Sequence, residues 1–304
     1  MHPGPERQKQ TVTLFLTVLE IVAPVFLLAA LGFGWVRMGF DYPVEFITRL
    51  GMTLAVPCLI FTALMKTEIA LADLGQITLV SIAGYGALTV VFRGVMSLLG
   101  LERRTYFVPL TFGNTGNLGL PLALFAFGEV GLGYAVVVFA VGVVWMFTFG
   151  LWLMAKHSNP LRNLREPMLI ASLLGALFLW QGWETPRPLT NALDLLGQMA
   201  IPLMLLTLGV AVGRLSPGHV KKALGLSVLK VVLCAATGFA VALALGLGPV
   251  PTGVLVVQLA TPVPVTVYLL AQKYDTDPEA VAGMVVVSTL LAVGALPLIL
   301  ALVL

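Results

Sequence analysis

Ten runs of about twenty apolar residues, with charge confined mostly to the short stretches between them, leave this chain one environment in which to fold. The runs fall at 14–35, 46–64, 77–99, 107–127, 132–154, 168–183, 189–212, 223–245, 250–270 and 280–303. A soluble domain carries roughly 25% charged residues; here 10% of 304 residues are charged, 59% are hydrophobic, and the mean hydropathy is +1.01. Hydrocarbon offers a peptide group no partner, so each span must satisfy its own backbone, and the expected class is an all-α integral membrane protein. The first run reads as a retained helix, because it is long for a signal peptide and no small-x-small cleavage site follows it.

Charge sets orientation and excludes some functions. With the N-terminus outside, Arg37, Arg49, Arg103, Arg104, Lys156, Arg162, Arg165, Arg214, Lys221, Lys222 and Lys273 face the cytoplasm. Only Arg7, Lys9, Lys66 and Arg187 lie opposite, so both termini are expected on the non-cytoplasmic side. A net charge of +3 spread over short loops gives no footing for nucleic acid. Cys58 and Cys234 sit inside apolar runs and read as packing residues. His2, His157 and His219 lie near segment ends or in a loop, and the sequence calls for no metal and no cofactor. It has no His-Glu-x-x-His, no Gly-x-Ser-x-Gly and no paired intramembrane aspartates, which argues against an enzyme.

Two spans, the fourth and the ninth, are interrupted alike. The fourth contains Gly113-Asn114-Thr115-Gly116-Asn117-Leu118-Gly119-Leu120-Pro121 and the ninth Ala260-Thr261-Pro262-Val263-Pro264-Val265-Thr266. Gly113, Gly116 and Gly119 weaken helix formation, and Pro121 lacks an N–H and clashes one turn back, so the fourth span is expected to unwind near Pro121. Pro262 and Pro264 do the same in the ninth. Each break exposes the N–H groups and positive dipole end of its downstream half-helix. If the two cross, both ends address one cavity suited to an anion. Asn114, Thr115, Asn117, Leu118, Pro121, Thr261, Pro262, Pro264 and Thr266 are the candidate substrate contacts, with Gln258 one turn earlier. The competing reading makes the polar groups local caps and the glycines packing contacts.

The breaks lie five spans apart, and so do two similar segments. Leu50-Gly51-Met52-Thr53-Leu54-Ala55-Val56-Pro57 resembles Leu196-Gly197-Gln198-Met199-Ala200-Ile201-Pro202, allowing one gap. An odd number of helices per copy inserts the second copy upside down. Residues 1–156 and 167–304 are therefore expected to be two inverted five-helix repeats, joined by a cytoplasmic loop at 157–166.

Three ionisable residues, Glu20, Arg93 and Lys230, fall inside apolar spans. Arg93 and Lys230 are each about two turns from the cytoplasmic end. Snorkelling to that interface is expected of them, with an anion-attracting vestibule as the alternative. For the shorter Glu20 the readings are an interhelical hydrogen bond or ion pair, and a proton relay. Neither break holds Asp or Glu, so the coupling ion, Na+ or H+, stays open.

The segment 113–122 (Gly-Asn-Thr-Gly-Asn-Leu-Gly-Leu-Pro-Leu) and the stretch from Pro262 through Tyr268-Leu269-Leu270-Ala271-Gln272-Lys273-Tyr274 resemble the two signatures of the auxin efflux carrier family, which includes plant PIN proteins and bacterial carriers. Pro57, Pro202, Asp277-Pro278 and Ala295-Leu296-Pro297 extend the likeness along the chain, and the short central loop is similar to the bacterial members. The resemblance implies helices 1, 2, 6 and 7 as a scaffold and homodimer interface. Helices 3–5 and 8–10 would form a transport domain whose helices 4 and 9 cross at Pro121 and Pro262, moving as an elevator. The chain departs from the family pattern at Pro264 and Thr266. The function so implied is secondary transport of a small organic anion, a carboxylate of auxin-like or dicarboxylate type, in the cell (inner) membrane. A sodium-coupled symporter of the bile-acid type is the alternative within carriers, and a channel or a non-transport protein a remote one.

Overall fold

A computed structural model describes residues 5–66, 69–154, 167–214 and 220–304. The loop 157–166, with His157, Lys156, His2 and His219, lies outside the described residues. Among the described residues all regular structure is helical. In chain order the helices are α1 (Pro5–Arg37), α2 (Val44–Leu50), α3 (Val56–Met65), α4 (Leu71–Leu98), α5 (Arg103–Thr111), α6 (Leu120–Trp145), α7 (Leu151–Met154), α8 (Pro167–Gln181), α9 (Arg187–Gln198), α10 (Ala200–Arg214), α11 (Val220–Ala244), α12 (Pro249–Ala260), α13 (Val265–Lys273) and α14 (Pro278–Val303). Among the described residues seven stretches are long and apolar enough to cross a membrane, and Ala23–Arg37 and Ile170–Gln181 are shorter apolar helices.

One of the seven, Arg103–Met154, runs for 52 residues. As one rod it would be about 78 Å long at 1.5 Å per residue, against about 30 Å of hydrocarbon. It instead doubles back at Gly128, whose φ of 66° and ψ of −161° only glycine adopts readily. Residues equidistant from Gly128 meet across the reversal. Arg104 Nε donates to the Met154 carbonyl at 3.1 Å, and the Phe107 and Phe149 rings lie 5.8 Å apart.

Proline explains two local irregularities. A proline inside a helix clashes with the carbonyl four residues back, and a wide turn relieves that clash. π-Helical turns at Gly51–Ala55 and Thr115–Gly119 each end just before a helix with proline as its second residue, Pro57 in α3 and Pro121 in α6.

The helices pack as two groups. In the first, α1 lies along α10, and α3 lies against α8 and α9. The α1–α10 contact is backbone to backbone: a Cβ on Gly32 would strike the Leu206 carbonyl, and one on Gly209 the Ala29 carbonyl. Gly197 plays the same part on α9, where a Cβ would stand 3.1 Å from Leu59 Cα of α3. Such close approach replaces the hydrophobic driving force that helices lack in lipid. In the second group, α11 packs on α12, α14 and α4, and α6 packs on α12 and α4. The two groups touch through thinner contacts, among them α3 with α6 and α10 with the 115–119 turn.

The interface predicts its own test. Gly209→Leu should lower the stability of the detergent-purified protein by about 1–3 kcal/mol, as overpacking does. Gly34→Ala, on the facing helix α1 with open space around its Cβ position, should leave the thermal midpoint unchanged or slightly raised.

Candidate functional site

The two interruptions meet. The Asn114 N–H donates to the Pro262 carbonyl at 2.7 Å, so the unwound backbone of one broken span satisfies that of the other. The approach is closest at Gly113, where a Cβ would collide with Thr261 Oγ1. The Thr261 hydroxyl turns back onto the Gln258 carbonyl at 2.6 Å, and the Val263 N–H finds Ser288 Oγ at 2.9 Å. Gly119 fits against the Gln258 amide, whose Oε1 a Cβ would strike.

The break in the fourth span comes earlier than Pro121. α5 ends at Thr111, Phe112 to Asn114 are extended or irregular, and the helix resumes at Thr115. Pro121 lies six residues beyond that restart, where the wide turn at Thr115–Gly119 accommodates it. The expected crossing at Pro121 is thus corrected to Gly113–Asn114, with Pro262 opposite. Sequence alone misplaces it because the proline sets the wide turn that follows the gap, not the gap itself.

Beside the crossing lies a cavity of about 180 Å³. Five of the nine candidate contacts line it: Asn114, Thr115, Asn117, Pro264 and Thr266, with Gly113 and Gly116 beside them. Leu118 and Pro121 do not; both are buried, and Leu118 is in the hydrophobic core. Thr261 and Pro262 face the back of the crossing, near Ser227 and Ser288. Both half-helix N-termini, at Thr115 and at Val265, border the cavity. Asn114 and Asn117, 4% and 8% exposed, each keep one end of the side-chain amide without a partner, and buried Gln258 keeps both.

The remaining wall comes from other spans and was not anticipated. Tyr85 of α4 stacks on Phe112, with centroids 5.8 Å apart, and Gly142 makes room for its hydroxyl. Phe139, Met146, Met52 and Met168 complete an apolar lining. The only sequence signals were glycines: Gly84 and Gly86 flanking Tyr85, and Gly142 in a run of valines.

Lys230 is a correction. It neither snorkels nor opens into a vestibule: it is 1% exposed, and its ammonium donates to the carbonyls of Leu110 (3.0 Å) and Phe112 (2.8 Å). These carbonyls end α5 and have no acceptor role within their own helix, so a cation there caps the break and opposes the negative dipole end. Arg93 is exposed on α4, as snorkelling requires, and lies away from the cavity. Glu20 is exposed on α1 and does not line the cavity.

A larger hollow of about 760 Å³ lies toward the opposite ends of the same spans, between α3, α9 and α6. The Lys66–Asp194 ion pair and Glu129 line it.

A family described as membrane transport protein matches residues 17–161 and again 156–300. A protein of Methanothermobacter thermautotrophicus described as an uncharacterized transporter is 26% identical over 305 residues, 94% of this chain and 98% of the relative. One of Rhizobium meliloti described as a putative malonate transporter is 26% identical over 304 residues, 91% of this chain and 93% of the relative.

Removing the Lys230 cap should be costly. Lys230→Met leaves two buried carbonyls unsatisfied at about 1–3 kcal/mol each, so the thermal midpoint should fall clearly, whereas Arg93→Met at an exposed position should stay within about 0.5 kcal/mol.

Proposed function

The chain belongs to the membrane transport protein family, the auxin efflux carriers, and on that premise we propose that it is a secondary carrier of small organic anions working by alternating access. The observation that carries the reading is the Asn114–Pro262 backbone bond beside a cavity that two half-helix N-termini border. Broken backbone at this depth is tolerated only where it is buried in protein or lines a cavity, and positive helix ends facing that cavity favour a negative group.

Counting the Gly128 reversal as two spans, and the two shorter apolar helices as one each, turns seven stretches into ten spans. We read them as two inverted five-helix repeats, 1–156 and 167–304, with spans 4 and 9 as the crossing pair. The group containing α1, α2–α3, α8 and α9–α10 would be the scaffold and dimer interface. The group containing α4, α5–α7 and α11–α14 would be the moving transport domain. Its thinner contacts with the scaffold support an elevator displacement, as do hollows toward opposite ends of the shared spans. With the basic loops inside and both termini outside, the 180 Å³ cavity belongs to the cytoplasmic half. The protein would then reside in the cell (inner) membrane and be seen facing inward.

The substrate is a carboxylate, and the malonate named for the Rhizobium meliloti relative is one candidate. Among the described residues no Asp or Glu lines the cavity. In proteoliposomes, Asn114→Ala should abolish saturable carboxylate flux while the purified protein keeps its elution profile and thermal midpoint; unchanged flux would refute the role. Flux that needs a sodium gradient would favour the symporter alternative.

A further inference from the structure

We infer that the crossover cavity is built for one negative charge, so that the carrier takes carboxylic acids as monoanions and rejects dianions. This rests on the anion-carrier reading and narrows it. The positive potential at the cavity has a countable source. Two helix N-termini border it, at Thr115 and Val265, and each is equivalent to roughly half an elementary charge. Together they supply about one. Among the described residues no Lys, Arg or His lines the wall.

Two further groups bear on the count. The C-terminal end of α5, at Phe112, also borders the cavity and would oppose an anion. Lys230 donates to the Leu110 and Phe112 carbonyls from behind the wall and so more than offsets that end. The end of α12, at Thr261, faces the back of the crossing instead. What remains toward the cavity is the pair of N-termini.

The neutral groups fit the same ligand. Asn114 and Asn117 are more than nine-tenths buried and line the cavity; Asn114 Nδ2, a donor suited to a carboxylate, and Asn117 Oδ1, an acceptor suited to an uncharged O–H, have no partner. The Tyr85 hydroxyl reaches the same space past Gly142. These groups bind one carboxylate and one further polar function that carries no charge. The rest of the wall, Met52, Phe139, Met146 and Met168, is apolar. A second carboxylate placed there would lose its water and meet no compensating charge.

The test uses ligand pairs that differ by one charge on one skeleton: malonate with monomethyl malonate, and phenylmalonate with its monomethyl ester. Each is titrated into the purified full-length protein while the thermal midpoint is followed. At neutral pH the monoester of at least one pair should bind about tenfold or more tightly than its diacid. The diacid's apparent affinity should rise as pH falls through its second ionisation. Diacid binding that is equal or tighter at neutral pH, and weakens on acidification, overturns the inference alone. No saturable shift with any of the four overturns it together with the anion-site reading. Met52→Lys adds one cation to the wall and should move the preference toward the diacid. An unmoved preference in that folded variant contradicts the charge count.

Discussion

A peptide group freed in hydrocarbon must find a partner within the protein or in a watery cavity, and that constraint organises this molecule. Two spans give up their helical hydrogen bonds at the same depth, and the Asn114 N–H closes on the Pro262 carbonyl at 2.7 Å. An unpaired group would cost several kcal/mol in lipid, so the two breaks stabilise one another. Either break alone would be a defect. Glycine at 113 is what permits the contact, since any side chain there would occupy the place of the Thr261 hydroxyl.

From that bond the surroundings follow in sequence. Joining the breaks leaves the ends of half-helices facing inward, and their polarity has to be answered. The C-terminal end of α5 is answered by Lys230, brought from α11. The N-terminal ends of the resumed helices are left facing a cavity roofed by Tyr85, Phe139 and methionines. One polarity is thus capped inside the protein and the other faces the cavity, which is the ground for the proposed anion site.

Much of this was legible in the chain, for reasons that separate local from tertiary information. Hydropathy marks spans because lipid enforces it residue by residue, and the paired glycine, asparagine and proline clusters mark breaks because no stable uninterrupted span needs them. Asn114, Thr115, Asn117, Pro264 and Thr266 were readable on that ground. The position of the gap was not. Pro121 drew the break toward itself, whereas it shapes the wide turn at Thr115–Gly119 and the chain opens seven residues earlier, at Asn114. Nor was Lys230 readable, because a lysine two turns from a span's end looks the same whether it reaches water or a carbonyl on another helix. The aromatic wall was hidden for the same reason: Tyr85 and Phe139 resemble core residues until three other spans are placed around them.

The proposition that the two broken spans meet beside one cavity is best tested by their proximity in the membrane. With Cys58 and Cys234 replaced by alanine, Thr115→Cys and Thr266→Cys place one thiol at each half-helix start, both on the cavity wall. A short bifunctional thiol reagent should join them within one polypeptide, in a product that a protease cutting between the halves does not separate. Full labelling of each single cysteine without any cross-link in the pair would contradict the account.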